Sequence, residues 1–315
     1  MKISRVVFMG TPDFAVGTLQ ALIRSEYEVV AVYTQPDKPQ GRKAILTPTA
    51  VKACALEAGL PVYQPEKIRE PEVIDQLEAL KPDVIVVAAY GQIIPKRILE
   101  LAPFGCINVH ASLLPAYRGA APIQWAVIDG LKETGVTTMQ MGTGLDTGDM
   151  IETCVVPLDP EETGGSLFDK MTEAGAQLLI HTLQSLEEGR ATWTPQPEES
   201  PTAYAAMLTK QDGLVDWSLP AEKIECRVRG LNPWPCAYTR LNGKQLKLWK
   251  CAVCPQPEGE RPAAGTVVAV DKKTLLVQTG EGLLEIRELQ LEGKKRMETE
   301  AFLRGQNIEK GTLLG

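Results

Sequence analysis

Strand-like and helix-like segments alternate through the first 140 residues, and this alternation constrains the fold more than any other feature. Apolar runs typical of buried strands lie at residues 3–9, 28–34 and 83–89, and again at 106–110 and 135–141. The patterns typical of helices lie at 13–24, 48–58, 71–80, 95–101 and 121–130. This order favours strands that run in parallel with helices on both faces of the sheet. We therefore predict an α/β domain built on a mostly parallel sheet.

The pattern changes in the last third of the chain. Residues 163–188 predict a long helix, and the segment 192–201, which holds three prolines, has the composition of a linker. Short alternating segments then follow, at 236–241, 244–250, 265–270, 274–279 and 282–289. The pair Asn242-Gly243 is typical of a tight hairpin turn. We predict a first domain at 1–189, a linker at 190–206 and a small β-barrel or sandwich at 207–315.

Composition excludes several classes of protein. No run of 18 apolar residues is present, and residues 1–5 lead directly into the first strand-like run, so neither a membrane span nor a secretory signal is expected. The seven cysteines are odd in number and scattered, which argues against a disulfide framework and indicates a reducing, cytoplasmic environment. With two histidines and one isolated Cys251-x-x-Cys254 pair, we expect no metal centre.

The net charge of −7 is unevenly distributed along the chain. Residues 1–207 hold 16 basic and 26 acidic side chains, whereas residues 208–315 hold 17 basic and 14 acidic ones. The acidic total therefore does not exclude a polyanionic partner for the C-terminal part. A chance excess of positive charge on a solvated surface is the alternative interpretation.

Polar residues concentrate after two of the predicted strands. Asn108 and His110 are two residues apart at the end of a strand, so their side chains share one face and point toward the crevice where such sheets bind ligands. Asp146 lies in a loop with three glycines that follows the strand at 135–141. An amide, an imidazole and a carboxylate together suit acyl transfer to an amine. The alternatives are a histidine buried by a core hydrogen bond and a surface Asx turn.

Other sequence features are less informative about chemistry. The turn Gly10-Thr11-Pro12-Asp13 follows a strand but lacks the glycine spacing of a dinucleotide loop, and no ATP-binding phosphate loop is present. The segment 35–48 holds three prolines and three basic residues without periodicity, which predicts a long exposed loop. The second histidine, His181, lies within the predicted long helix without a polar companion, and we expect it to be structural.

Longer strings resemble the folate-dependent formyltransferases. The string NVHASLLPAYRGAAPIQWAV, followed by TGVTTMQMGTGLDTGDM, carries the resemblance, which extends to VVFMGTPDFAV, QPDKPQGRKAILTPTAV, TKQDGLVDW and LNPWPCAY and so covers nearly the whole chain. The resemblance implies a Rossmann-like N-terminal domain and a C-terminal β-barrel of the oligonucleotide-binding type. It also implies that Asn108, His110 and Asp146 are catalytic.

The resemblance further implies the substrates. The formyl donor is 10-formyltetrahydrofolate, a co-substrate that needs no metal. The resemblance places it against the turn Ser112-Leu113-Leu114-Pro115 and implies that residues near Gln92-Ile93-Ile94 line the pteridine pocket. The residues of these motifs are most similar to those of family members that formylate methionyl initiator tRNA. Their tRNA contacts imply tRNA-binding roles for Lys38, Arg42 and Lys43 in the basic segment and for Lys210 after the linker, in a monomeric protein.

Four other functions remain open on sequence grounds. A sugar-nucleotide formyltransferase shares the Asn, the His and the SLLP turn, but its motifs are less similar around residues 35–48 and Asp146. A glycinamide ribonucleotide formyltransferase lacks the second domain. A formyltetrahydrofolate hydrolase uses water in place of the amine. An RNA-binding protein that has lost activity on the same scaffold would not require the intact catalytic residues.

Overall fold

The computed structural model of the chain describes residues 2–40, 45–259 and 261–315. The described residues divide into two compact units. The first unit comprises the described parts of Met1–Pro122, Glu133–Pro157 and Phe168–Ala206. The second comprises Ile123–Lys132, Leu158–Leu167 and the described part of Met207–Gly315.

Strands and helices alternate through most of the first 187 residues, as the sequence predicts, but consecutive strands without a helix between them occur at 28–47 and at 133–157. The strands are β1 (Arg5–Gly10), β2 (Glu28–Tyr33), β3 (Lys38–Gln40), β4 (Ile45–Thr47), β5 (Val62–Tyr63), β6 (Val84–Ala88), β7 (Cys106–His110), β8 (Glu133–Gln140) and β9 (Met150–Pro157). The helices are α1 (Asp13–Arg24), α2 (Ala50–Glu57), α3 (Pro71–Ala79), α4 (Lys96–Leu99), α5 (Pro122–Ile128) and α6 (Gly164–Glu187).

A seven-stranded sheet in the order β5-β2-β1-β6-β7-β8-β9 forms the centre of the first unit. The pairs from β5 to β7 are parallel, whereas β8 pairs antiparallel with both β7 and β9. The mostly parallel, Rossmann-like sheet is therefore confirmed, although sequence patterns did not predict β9. The strand order reverses at β1, and ligands of such sheets bind beyond the carboxyl ends of the strands near a reversal of this kind.

The central strands are buried on both faces. Residues Val6, Val7, Phe8 and Met9 of β1 have no exposed surface, and every residue of β6 and β7 is buried. This agrees with their continuous apolar runs, because a strand covered on both sides has no face left for polar residues. Contact with water therefore does not explain why polar side chains lie at the end of such a strand.

The segment 35–48 differs from its prediction as a long exposed loop. Strands β3 and β4 pair antiparallel, with Lys38 opposite Thr47 and Gln40 opposite Ile45. Next to this hairpin, the Asp37 carboxylate lies 2.6 Å from the Lys52 ammonium and accepts a hydrogen bond of 2.6 Å from Gln64. Residues 35–39 and 45–48 are exposed or half-buried, as predicted, but the prediction of a loop is wrong for β3 and β4, because short strands without periodicity leave no pattern of apolar residues to detect.

The C-terminal unit is built on an antiparallel sheet. After a 3₁₀ turn at Gln211–Gly213, its elements are α7 (Ala221–Gly230), β10 (Ala237–Leu241), β11 (Lys244–Cys254), β12 (Val267–Val270), β13 (Leu275–Gln278), β14 (Leu283–Leu291), β15 (Met297–Glu298) and α8 (Thr299–Leu303). The strand order is β10-β11-β14-β13-β12, and β15 pairs with β14. The last residues bridge the two edge strands, since Leu313 pairs with Thr266 beside β12 and the Gly315 amide donates to Arg240 of β10. This agrees with the predicted small barrel.

Candidate active site

The candidate site begins at the carboxyl end of β7. Asn108 and His110 lie two residues apart on this strand, opposite Met139 and Thr137 of β8, so their side chains project to the same face. Both residues are more than nine-tenths buried. The side-chain amide of Asn108 forms no hydrogen bond with another described residue, so it is available to a ligand as a donor and an acceptor.

Both ring nitrogens of His110 face oxygen atoms. Nε2 lies 3.1 Å from the carbonyl oxygen of Tyr117. Because a carbonyl only accepts hydrogen bonds, Nε2 carries a hydrogen in this arrangement. Nδ1 points toward the Asp146 carboxylate at 3.7 Å, which is longer than a hydrogen bond. The Tyr117 carbonyl therefore orients the ring, and Nδ1 is the nitrogen left for proton exchange beside a carboxylate.

Asp146 reaches this position from a tight loop between β8 and β9. Its backbone is in the left-handed region, with φ of 51°, and its Oδ2 accepts a 3.0 Å hydrogen bond from the Gly119 amide. Gly148 lies so close to the Gln140 carbonyl that an added Cβ would collide with it. The loop thus needs glycine at 148 to make the turn that brings Asp146 to His110.

The turn Ser112-Leu113-Leu114-Pro115 is held from the neighbouring strand. The Thr137 hydroxyl on β8 donates to the Ser112 carbonyl at 2.7 Å and accepts from the Leu114 amide at 3.1 Å. The Ser112 hydroxyl donates to the Ala116 carbonyl at 2.6 Å. Thr137 and Ser112 have no exposed surface. The turn is therefore fixed by a buried hydroxyl of the neighbouring strand, which lies outside the SLLP turn itself.

Known proteins match this chain over most of its length. Residues 4–183 match a family model described as formyl transferase, and residues 207–307 match one described as formyl transferase, C-terminal domain. A methionyl-tRNA formyltransferase of Agathobacter rectalis is 53% identical over 308 residues, which cover 98% of both chains. One of Bacillus subtilis is 50% identical over 313 residues, which cover 99% of this chain and 98% of the relative. The chain belongs to the methionyl-tRNA formyltransferase family. The resemblance found in the sequence is confirmed.

Solved structures share the fold of this family member at much lower identity. The structure of WlaRD, a sugar 3N-formyl transferase solved in the presence of dTDP and 5-N-formyl-THF, has a TM-score of 0.66 at 17% identity and covers 94% of this chain and 100% of its own. HypX from Aquifex aeolicus, in complex with tetrahydrofolic acid, has a TM-score of 0.60 at 17% identity and covers 99% of this chain and 51% of its own. Both likenesses support the fold alone.

The residues that the formyltransferase motifs imply for the pteridine pocket lie just after β6. Ile93 is 79% exposed, whereas Ile94 is buried in the core next to β6. The Gln92 amide is already bonded, because its oxygen accepts from the Ile68 amide at 2.7 Å and its nitrogen donates to the Pro65 carbonyl at 3.0 Å. Ile93 is thus the side chain of the three that is free to contact a ligand, and Gln92 holds the neighbouring segment 65–68.

The residues implied as tRNA contacts of this family member are distributed over both units. Lys38 is exposed on β3, and Lys210 is exposed immediately before the 3₁₀ turn of the C-terminal unit. Arg42 and Lys43 lie outside the described residues. Exposed lysines of this kind suit phosphate contacts, which carry no sequence information.

His181 has a polar partner, contrary to the sequence prediction. Its Nδ1 lies 3.0 Å from the Glu152 carboxylate, which also accepts hydrogen bonds from the Thr182 and Ser185 hydroxyls. Burial raises the pKa of Glu152, but these three hydrogen bonds outweigh it and hold the pKa below its ordinary value. The Glu152 cluster joins β9 to α6, so His181 belongs to a structural contact.

Neither a metal cluster nor a spanning helix is present among the described residues. Groups of three His, Cys, Asp or Glu side chains that could hold a metal ion do not occur there. No helix in the same ranges combines the length and the apolar character needed to cross a membrane.

Proposed function

We propose that this chain transfers the formyl group of 10-formyltetrahydrofolate to the α-amino group of methionine esterified to initiator tRNA. One observation carries the proposal: a buried side-chain amide without a hydrogen-bond partner among the described residues, an oriented imidazole and a carboxylate lie at one strand end, in a chain about half identical to methionyl-tRNA formyltransferases. The family membership supports the reaction class, and the arrangement of the three side chains supports the role proposed for each.

The catalytic step moves one acyl group and one proton. The neutral amine nitrogen bonds to the formyl carbon, the bond from that carbon to N10 of the folate breaks, and the proton lost by the amine goes to N10. Asn108 donates its amide hydrogen to the oxyanion that develops on the formyl oxygen. His110, protonated at Nδ1, donates a second hydrogen bond, and Asp146 stabilises the imidazolium and relays the proton.

The chain's own residues suit the formyl donor at the same edge of the sheet. The turn Ser112-Leu113-Leu114-Pro115 offers a rigid surface because Thr137 fixes it from β8. The exposed side chain of Ile93 offers an apolar contact for the pteridine, next to the carboxyl end of β6. Gln92 supports this contact by holding residues 65–68 in place.

The tRNA contacts belong to the same proposal. Lys38, Arg42 and Lys43 contact the acceptor stem near the aminoacyl end, and Lys210 contacts the tRNA backbone. The basic residues of the C-terminal part neutralise further phosphates. The proposal also includes the state and organisation of the protein. It is monomeric and cytoplasmic, with a catalytic domain at 1–189, a linker at 190–206 and a tRNA-binding barrel at 207–315.

One assay tests the proposed reaction. The purified chain is incubated with 10-formyltetrahydrofolate and methionyl initiator tRNA, and the formylated product is measured. Uncharged tRNA and an amino-sugar nucleotide serve as control acceptors. We expect formylation of the methionyl-tRNA alone; formylation of the sugar amine without that of the tRNA would contradict the proposal.

Two alanine variants test the residue roles in the same assay. We expect Asn108→Ala and His110→Ala each to lower kcat on the order of 100-fold or more, because each removes a donor to the oxyanion. The matched control is His181→Ala, the other histidine of the chain, which leaves kcat unchanged. A near-normal kcat in either active-site variant, with the fold intact by circular dichroism, rejects the role of that residue.

A further inference from the structure

The segment 194–205 lies along the loops that carry the candidate active site, although the sequence alone has the character of a linker. We call these residues the strap. Its first end pairs with the strand after the Asp146 loop, since Thr194 and Met150 exchange two backbone hydrogen bonds of 2.8 and 2.9 Å. Its last end pairs with the turn after β7, where Ala205 donates to the Arg118 carbonyl at 2.8 Å. The strap therefore connects both loops of the site.

Gln196 is the residue of the strap that bonds to both loops through its side chain. Its Nε2 donates to the carbonyl oxygens of Asp146 at 3.0 Å and of Gly148 at 2.7 Å. Its Oε1 accepts from Nε and Nη2 of Arg118 at 3.1 and 3.0 Å. The amide orientation is unambiguous, because two carbonyls face one side and two guanidinium hydrogens face the other.

Arg118 completes the connection from the other loop. Its side chain is more than nine-tenths buried, and its remaining hydrogen bonds go to the strap carbonyls of Pro197 at 2.7 Å and Glu198 at 3.0 Å. The buried guanidinium thus directs its charge-assisted hydrogen bonds into the strap. The adjacent Gly119 amide donates to the Asp146 carboxylate. One continuous network therefore runs from Arg118 through Gln196 to the backbone of Asp146.

We propose that Gln196, held by Arg118, is a positioning residue that sets the Asp146 carboxylate at its working distance from His110. The inference rests on the proposed function. The backbone of Asp146 is in the left-handed region, which aspartate adopts more readily than most residues but which is still uncommon, and the hydrogen bond from Gln196 to its carbonyl stabilises this conformation. The 3.7 Å separation between Asp146 and His110 also means that no direct hydrogen bond fixes the pair. Gln196 donates hydrogen bonds to Asp146 and Gly148 and accepts them from Arg118, so it acts on His110 only through Asp146.

The substitution Gln196→Glu isolates this role. A glutamate keeps the oxygen that accepts from Arg118, but it replaces the NH₂ group that donates to the Asp146 and Gly148 carbonyls with a second acceptor. The matched control is Glu198→Gln, a reverse exchange in the same strap at an exposed side chain, because Arg118 contacts only the backbone carbonyl of Glu198. The measurements are kcat and the KM values for both substrates, in the wild-type and Asp146→Asn backgrounds.

We expect Gln196→Glu to lower kcat about tenfold in the wild-type background with the KM for 10-formyltetrahydrofolate unchanged, because repulsion at two carbonyls shifts the loop that carries Asp146. In the Asp146→Asn background, the same substitution has less than a twofold effect, because the carboxylate that it positions is already absent. Glu198→Gln has no effect in either background. A purely structural role would instead lower the unfolding midpoint and reduce kcat equally in both backgrounds.

Two results overturn the inference: an unchanged kcat in folded Gln196→Glu, or equal losses in the two backgrounds. Should Gln196→Glu fail to fold, Arg118→Lys carries the same test from the other end of the network, because lysine loses the forked contact with Gln196 Oε1 but keeps the charge. The proposed function fails separately. If the wild-type chain formylates no methionyl-tRNA, the reaction is wrong, whereas an active wild type with equal losses rejects the positioning role alone.

Discussion

A single buried hydroxyl joins the turn after β7 to the neighbouring strand. Thr137 contacts Ser112 and Leu114, which are 25 and 23 residues away along the chain, and it has no exposed surface. Loss of the hydroxyl would leave a buried amide and a buried carbonyl without this partner. The position of this turn, the proposed contact for the folate, therefore depends on a residue outside the SLLP motif.

We expect Thr137→Val, which preserves the shape of the side chain, to lower the free energy of unfolding by about 1–3 kcal/mol. The KM for 10-formyltetrahydrofolate should rise as well, because the turn loses its fixed position. The control is Thr153→Val, at the paired position of β9, where the side chain is exposed. Urea unfolding and steady-state kinetics measure the two effects. Equal unfolding midpoints for both variants would exclude the bridging role of Thr137.

At the scale of an element, two of the three glycines in the loop between β8 and β9 have different surroundings. A Cβ at Gly148 would collide with the Gln140 carbonyl, whereas a Cβ at Gly142 would meet no atom within 4 Å. We expect Gly148→Ala to lower kcat about tenfold or more, because the loop must move and Asp146 moves with it. Gly142→Ala should retain the wild-type kcat. Comparable kcat values for the two variants would show that the loop tolerates the shift.

The contact between β9 and α6 predicts a pH dependence of stability. The folded-state pKa of Glu152 is below its ordinary value of 4.5, because hydrogen bonds from Thr182, His181 and Ser185 outweigh the effect of burial. Its contribution to stability is therefore complete above pH 4.5 and is lost as the pH falls through the lowered pKa.

We expect Glu152→Gln to lower the free energy of unfolding by about 1–2 kcal/mol at pH 7, and the difference from wild type should shrink below about pH 4. Chemical unfolding at several pH values measures this difference. The control is Glu133→Gln, an exposed residue of β8, which should show little difference at any pH. A difference that grows on acidification would reverse the expected sign and reject the explanation.

At the scale of the whole molecule, the charge distribution predicts how the two substrates respond to salt. The chain carries −7 overall, but residues 208–315 hold 17 basic and 14 acidic side chains. Because phosphate contacts release counterions, we expect the KM for methionyl-tRNA to rise steeply between about 50 and 200 mM salt. The KM for 10-formyltetrahydrofolate should change much less. Parallel salt dependence of the two KM values would contradict a phosphate-binding role for the basic residues.

The sequence by itself determined the features that follow from a local pattern of apolar and polar residues. The order of strands and helices followed from apolar runs and amphipathic periods, and the shared face of Asn108 and His110 followed from the two-residue period of a strand. The hairpin of β3 and β4 and the strand β9 left no such pattern. Their pairing depends on neighbours, so local propensity did not identify them.

Only the tertiary structure decided how the site is supported. The carbonyl that orients His110 belongs to Tyr117, and a backbone carbonyl has no signature in the sequence. The strap resembles a linker in composition because its prolines and polar residues are typical of exposed chain. It packs on the active-site loops because Gln196 and Arg118, 78 residues apart, meet there. Such long-range hydrogen bonds form only when the whole chain has folded. Local patterns in the sequence therefore do not predict them.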